Sequence, residues 1–159
     1  MNSNEQLIHQ FYTAFQQLDA ASMQACYHDD IRFSDPAFPQ LKGKEAGAMW
    51  AMLTEALKKN PADWKLEFSN SKADVNTGSC RWEAHYTFSL TGRKVHNIIQ
   101  AKFRFKEGKI VEHTDMFDFY RWTRMAFGIT GLLLGWTPYF RNKLQTTTRK
   151  RLDAYLKGN

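Results

Sequence analysis

The sequence predicts an α+β fold, a curved antiparallel sheet with helices packed on one face and a helical extension after the sheet. Three observations lead there. Apolar residues recur at spacings of three and four over roughly the first 60 residues, then at a spacing of two from Trp64 to Phe105. Short turn signals, Thr91-Gly92 and Glu107-Gly108, join the alternating segments into hairpins. Helices first and hairpin-linked strands afterwards make an antiparallel sheet with its helices segregated to one face.

The first helix is expected over residues 3–18, where Leu7, Ile8, Phe11, Tyr12, Phe15 and Leu18 share a face. Ser3 with Gln6 offers a capping box. A second helix is expected over 20–27, capped by Asp19. Residues 31–34 read as a short strand ended by Asp35-Pro36, because proline pushes the residue before it toward extended backbone. Gly43 precedes a third helix over 44–59, with Ala46, Met49, Trp50, Leu53 and Leu57 on its apolar face and Asn60-Pro61 as its stop. Trp64, Leu66 and Phe68 alternate, as do Trp82, Ala84, Tyr86, Phe88 and Leu90. Val95, Asn97, Ile99, Ala101, Phe103 and Phe105 form the next inward set. The last strand, from Lys109, resists this treatment. Val111, His113, Asp115, Phe117 and Phe119 would share one face, and Ile110, Glu112, Thr114, Met116, Asp118 and Tyr120 the other. Both faces are mixed, and a slip of one residue exchanges them.

The chain of 159 residues suits one core. Aromatic residues make up 14 %, with twelve Phe, which suggests a large apolar interior or a lined cavity. Cys26 and Cys80 are isolated, with no CxxC and no metal spacing, and read as buried thiols in a reducing cytosol. The polar start MNSNEQLIHQ has no signal-peptide pattern. The longest uncharged stretch, 125–140, has sixteen residues with three Gly and a Pro, short of the ~20 a span requires. A cytoplasmic location is expected. The net charge of +6 is uneven, because residues 138–159 alone carry +5.

The segments FYTAFQQLDAASMQACYHDDIRFSDP and GRKVHNIIQAKFRFKEGKIVEHTDMFD resemble SnoaL-like proteins of the nuclear transport factor 2-like superfamily, and more distantly ketosteroid isomerase. The resemblance covers about residues 4–122. It implies a cone whose sheet wraps a pocket closed by the helices, as residues 1–122; residues 123–159 read separately as a basic helical extension. It places Asp35 at the general base of the isomerase. It places His113, Asp115 and Phe117 on the pocket-lining face of the last strand, with Asp115 matching the acid/base aspartate of SnoaL-like cyclases. The isomerase's two oxyanion donors fall on Phe11 and Ala101, which cannot donate, and the Arg and Asp pair of the superfamily's epoxide hydrolases has no counterpart on the middle strand. Members often dimerise through the outer sheet face, so a homodimer is expected.

Two functions from different classes follow. The first is an enzyme doing acid/base proton transfer (isomerase, cyclase, dehydratase or hydrolase type) on a compact, apolar small molecule. Asp35 and Asp115 would exchange protons and His113 would tune them. Asn97 and Tyr86 would orient the substrate, and Trp82, Phe88, Phe103 and Phe117 would wall it. No organic cofactor is called for, and no HxH or HExxH spacing supports a metal. The second is a non-catalytic binder or interaction module of the same shape. The bland alternatives are an Asp-Pro turn acceptor for Asp35, a buried structural pair for His113 and Asp115, and a salt bridge or helix cap for Asp118. In the extension, Phe140, Leu144, Thr148, Leu152, Tyr155 and Leu156 form a stripe that packs on the domain or a second subunit, or lies on an anionic membrane. Nucleic acid is not expected, since no base-reading pattern accompanies the charge.

Overall fold

The computed structural model describes residues 1–159. Helix α1 (Ser3–Gln16) buries Leu7, Ile8, Phe11, Tyr12 and Phe15, the face predicted. Its capping box is one residue earlier than expected: Asn2 Oδ1 accepts from Glu5 N at 2.9 Å and Glu5 Oε2 accepts from Asn2 N at 3.1 Å. Asparagine is among the best N-caps, and Glu5 adds a negative charge beside the positive end of the helix. Helix α2 (Ala20–Ala25) is capped by Asp19, whose Oδ1 accepts from Ser22 N.

Tyr27 does not end that helix but opens strand β1 (Tyr27–Ser34). A two-residue strand β2 (Leu41–Lys42) and helix α3 (Lys44–Leu57) follow. A 3₁₀ turn at Pro61–Asp63 leads into β3 (Lys65–Ala73), β4 (Thr77–Thr87), β5 (Lys94–Lys106) and β6 (Lys109–Met116). Three further helices complete the chain: α4 (Phe119–Phe127), α5 (Ile129–Leu134) and α6 (Pro138–Gly158). Asp118 caps α4, its Oδ1 accepting from Arg121 N at 2.9 Å.

The six strands run in the order β2-β1-β6-β5-β4-β3, a curved sheet that does not close. It is not wholly antiparallel. β1 pairs with β6 in parallel, with Phe33 opposite His113 and Ser34 opposite Thr114. Parallel neighbours need a long connection, which α3 and the β3–β5 meander supply.

Strand β6 also explains its own mixed periodicity. Arg104 pairs with Glu112 and Phe105 with Ile110, so Val111 is left without a partner as a bulge. The extra residue lets Ile110, His113 and Asp115 all point inward, while Val111 leaves the inner face where strict alternation would put it. The principal core lies between the concave sheet and α1, α2 and α3.

The α6 stripe is covered by this same chain. Leu144 and Leu152 are buried, Thr148 Oγ1 donates to Ala37 O at 2.7 Å, and Gln145 Nε2 donates to Pro36 O at 3.0 Å. Arg149 pairs with Glu45 of α3 and, at 3.1 Å, with Asp153.

Candidate functional site

An apolar cavity of about 180 Å³ lies between the wide end of the sheet, α3 and α6. Its wall carries few polar side chains, chiefly Asp35, Asp115, Asn97, Tyr86, Thr148 and Arg151. The aromatic walls predicted at Trp82, Phe88 and Phe117 are present, together with Trp50, Trp64 and Trp122. Leu90 and Arg151 are both exposed and lining, which places the mouth between the β4–β5 turn and α6.

Asp115 is the end of a directed hydrogen-bond chain. The Trp50 indole donates to Tyr27 Oη at 2.9 Å. An indole N–H can only donate, so the Tyr27 hydroxyl proton is free for His113 Nδ1, 2.7 Å away. That assigns Nδ1 as acceptor and leaves the ring proton on Nε2, which donates to Asp115 Oδ1 at 3.0 Å. Trp82 Nε1 donates to the same oxygen at 3.2 Å. Oδ2 has no protein donor, yet it is not among the sealed polar atoms that lack a partner, so it opens on the cavity. His113 is wholly buried, and Asp115 is 3 % exposed. Phe11, Phe33 and Phe103 stand around the His113 ring at centroid distances of 5.3, 5.1 and 4.6 Å.

Asp35 is held differently. Its Oδ1 accepts from Ala37 N at 2.7 Å and Phe38 N at 2.6 Å, and its own N–H donates to Phe38 O at 3.2 Å. This is the Asp-Pro turn foreseen as the bland reading, and it coexists with a place on the cavity wall. Burial pushes the Asp35 carboxyl up to about 7; the Phe38 N–H opposes this, and the negative charge of Asp115 adds to it. Burial likewise raises Tyr86 to about 12, against the Trp122 indole that donates to its hydroxyl at 2.9 Å. Since that oxygen accepts from Trp122, the Tyr86 proton remains available to a ligand. Asn97 is 6 % exposed, makes no side-chain hydrogen bond within the protein, and faces the cavity. Its amide offers both a donor and an acceptor.

Two predicted site residues lie elsewhere. His113 does not line the cavity and touches it only through Asp115. Phe103, at 2 % exposure, belongs to the floor with Tyr12, whose ring lies 6.4 Å away. Alternation fixes the face of a strand but not the depth along it, and α1 fills the narrow end where both residues fall. Sequence reasoning missed Tyr27, Trp50 and Trp122, which orient the polar groups, and the α6 contribution of Thr148 and Arg151. None of these residues left a signal in the sequence that set it apart from an ordinary core aromatic or surface residue. No three His, Cys, Asp or Glu side chains gather as a metal site would require.

A concave sheet closed by helices over one apolar cavity, with carboxylates and an amide aimed into it, defines a cone-shaped pocket protein. More narrowly, the chain belongs to the SnoaL-like domain family, whose model matches residues 8–113. Among solved structures it is similar to a nuclear transport factor 2-like protein of unknown function from Burkholderia pseudomallei, with 19 % identity, TM-score 0.65, and coverage of 79 % of this chain and 98 % of that one. A putative polyketide cyclase from Xanthomonas campestris pv. campestris matches at 17 % identity and TM-score 0.59, covering 76 % and 93 %. An epoxide hydrolase from M. tuberculosis matches at 18 % and 0.57, covering 82 % and 95 %. At these identities the likeness is one of fold. No curated protein is similar enough to count as a match.

Proposed function

We propose that the protein is an enzyme of acid/base proton transfer acting on a compact, mostly apolar organic molecule. The observation that carries this reading is the convergence of two carboxylates and an amide with no protein partner on one apolar cavity. Asp115 Oδ2 takes a proton from a carbon acid or a water. Asp35, protonated below about pH 7, delivers one to a developing oxyanion or leaving group. Asn97 and the Tyr86 hydroxyl bind the substrate oxygen and stabilise negative charge on it. His113 is a positioning residue: its Nε2–H fixes Asp115 Oδ1 so that Oδ2 faces the substrate. The solved relatives described as cyclase and hydrolase support this class of chemistry. Homodimerisation through the outer sheet face belongs to the same proposal.

Hydrogen exchange tests the reading without knowledge of the substrate. Apolar cyclic ketones, esters and lactones are incubated in D₂O with the protein, and deuterium incorporation is followed by NMR. Incorporation by wild type, lost in Asp115→Asn with unchanged circular dichroism, supports it. Phe11 and Ala101, which offer no oxyanion donor, favour a binding module instead. Tight ligand binding without any exchange would select that second reading.

A further inference from the structure

The surface outside the cavity carries one feature that the proposed chemistry does not use. Around α5, Ile129, Leu132, Leu133, Leu134, Trp136 and Tyr139 are all exposed, with Ile129 at 74 %, Leu133 at 63 %, Trp136 at 69 % and Tyr139 at 70 %. Single exposed apolar residues are ordinary, but six within eleven positions form a patch of the kind that marks an interaction surface. Close packing elsewhere produces this exposure. A Cβ on Gly131 would come within 1.9 Å of Thr123 O, and one on Gly135 within 2.0 Å of Thr123 Oγ1. The glycine face of α5 is therefore pressed against α4, and the Ile129, Leu132 and Leu133 face is turned outward. The Tyr120 hydroxyl, donating to Leu132 O at 2.9 Å, fixes that orientation.

The chain around the patch is predominantly basic, Asp118 before α4 being the nearest acid in sequence. Residues 119–152 contain seven Lys and Arg and no Asp or Glu. Arg149 alone among the seven has a carboxylate partner. Arg124 lies over the Tyr120 ring beside α5, Arg93 packs at Gly128, and Lys143 follows Tyr139 by one helical turn. The apolar stripe of α6 is buried against this chain, so the α5 knob, not α6, offers the free apolar surface.

We propose that this knob seats the protein on an anionic phospholipid surface. Leucine and isoleucine would enter the acyl boundary, Trp136 and Tyr139 would sit at headgroup level, and Arg93, Arg124 and Lys143 would meet the lipid phosphates. This is peripheral docking, because no helix is long and apolar enough to cross a membrane. A second copy of the chain fits less well: a two-fold contact would set the same basic residues against themselves. The knob also adjoins the cavity mouth. The turn carrying Leu90 is tied to the end of α4, with Thr91 Oγ1 donating to Ala126 O at 2.6 Å and Arg93 Nε to Met125 O at 2.8 Å. An apolar ligand dissolved in the bilayer would meet the cavity at the docked face.

The test is co-sedimentation of the full chain with phosphatidylcholine vesicles, with and without phosphatidylglycerol. The expected result is binding to the mixed vesicles that weakens about tenfold or more without the anionic lipid and falls as salt is raised. The double variant Leu133→Glu, Trp136→Glu should release the protein with unchanged near-UV circular dichroism. Should that variant fold poorly, quenching of tryptophan fluorescence by brominated lipid gives a second readout, smaller in Trp136→Phe than in wild type. Absence of binding to anionic vesicles overturns the proposal. So does a concentration-dependent dimer, in ultracentrifugation, that the double variant dissociates while vesicles bind neither form.

Discussion

The inner face of β6 and the loop after β1 each present a carboxylate to the same cavity, and they hold it with different materials. Asp115 is fixed by side chains: two N–H donors on one oxygen, one of them the end of the chain from Trp50 through Tyr27 and His113. Asp35 is fixed by backbone, through the N–H groups of Ala37 and Phe38. A side-chain relay specifies direction but breaks at any link. A backbone turn survives most substitutions nearby but leaves the carboxyl to be set by burial, which carries Asp35 to about 7. The difference separates a residue whose geometry is guarded from one whose proton is guarded.

The largest effect that can break this comparison is Asp115→Asn, which keeps an oxygen for both donors. Turnover in the exchange assay should fall about 10²–10⁴-fold with stability nearly unchanged. Normal turnover in that variant would remove Asp115 from the chemistry. Next comes His113→Ala, which leaves the Tyr27 hydroxyl and Asp115 Oδ1 short of a partner and opens a void inside an aromatic cage. Urea unfolding should show a loss of about 2–4 kcal/mol. A loss near zero would mean that the relay is not what holds β6 in place.

Asp35→Asn sharpens the other side, since the amide oxygen can still accept from both N–H groups. With a folded pKa of about 7 against an ordinary 3.8, the folded state binds the extra proton between these values. Asp35 therefore withdraws stability as pH rises from about 4 to about 7, and its contribution is flat below and above that window. Wild type should lose about 1–3 kcal/mol over the window through this group, allowing for its partial contact with solvent. The Asn variant should lack that fall. Identical pH profiles for the two proteins would show that Asp35 is not perturbed. The smallest expected effect is Thr148→Val, which removes the α6 bond to Ala37 O next to the Asp35 turn. A cost of about 1 kcal/mol in thermal or urea unfolding, with Asp115 function intact, would confirm that the two carboxylates are supported independently.

Much of this arrangement is legible in the residues. The α1 face, the β5 alternation and the Asp118 cap follow from period and capping chemistry, which act locally. The resemblance to SnoaL-like proteins supplied the cone and the match of Asp35 and Asp115. The inward turn of Ile110 in place of Val111 was not legible, because a bulge has no signature that alternation can detect, and His113 was placed on the right face but at the wrong depth. Phe103 was misplaced for a related reason, as parity carries no information on depth. Trp50 and Tyr27, which act on Asp115 through His113, come from α3 and β1, remote in sequence from β6, and nothing in a one-dimensional pattern couples them. The walling of the cavity by α6 is likewise a tertiary fact. Its stripe left the domain, a second subunit and a membrane surface as alternatives.

The parallel pairing of β1 with β6 has a consequence for how the protein is made. Ser34 pairs with Thr114, about 80 residues further along the chain. At about 5–20 residues per second, the ribosome needs roughly 4–16 s to deliver the partner of a strand it has already finished. Throughout that interval Ile31 and Phe33, both buried in the finished protein, lack the neighbour that covers them. Contacts of such separation form late in folding. The two carboxylates come together only when β6 joins β1, so conditions that trap β1 with a wrong neighbour should yield protein that retains its helices but has no site.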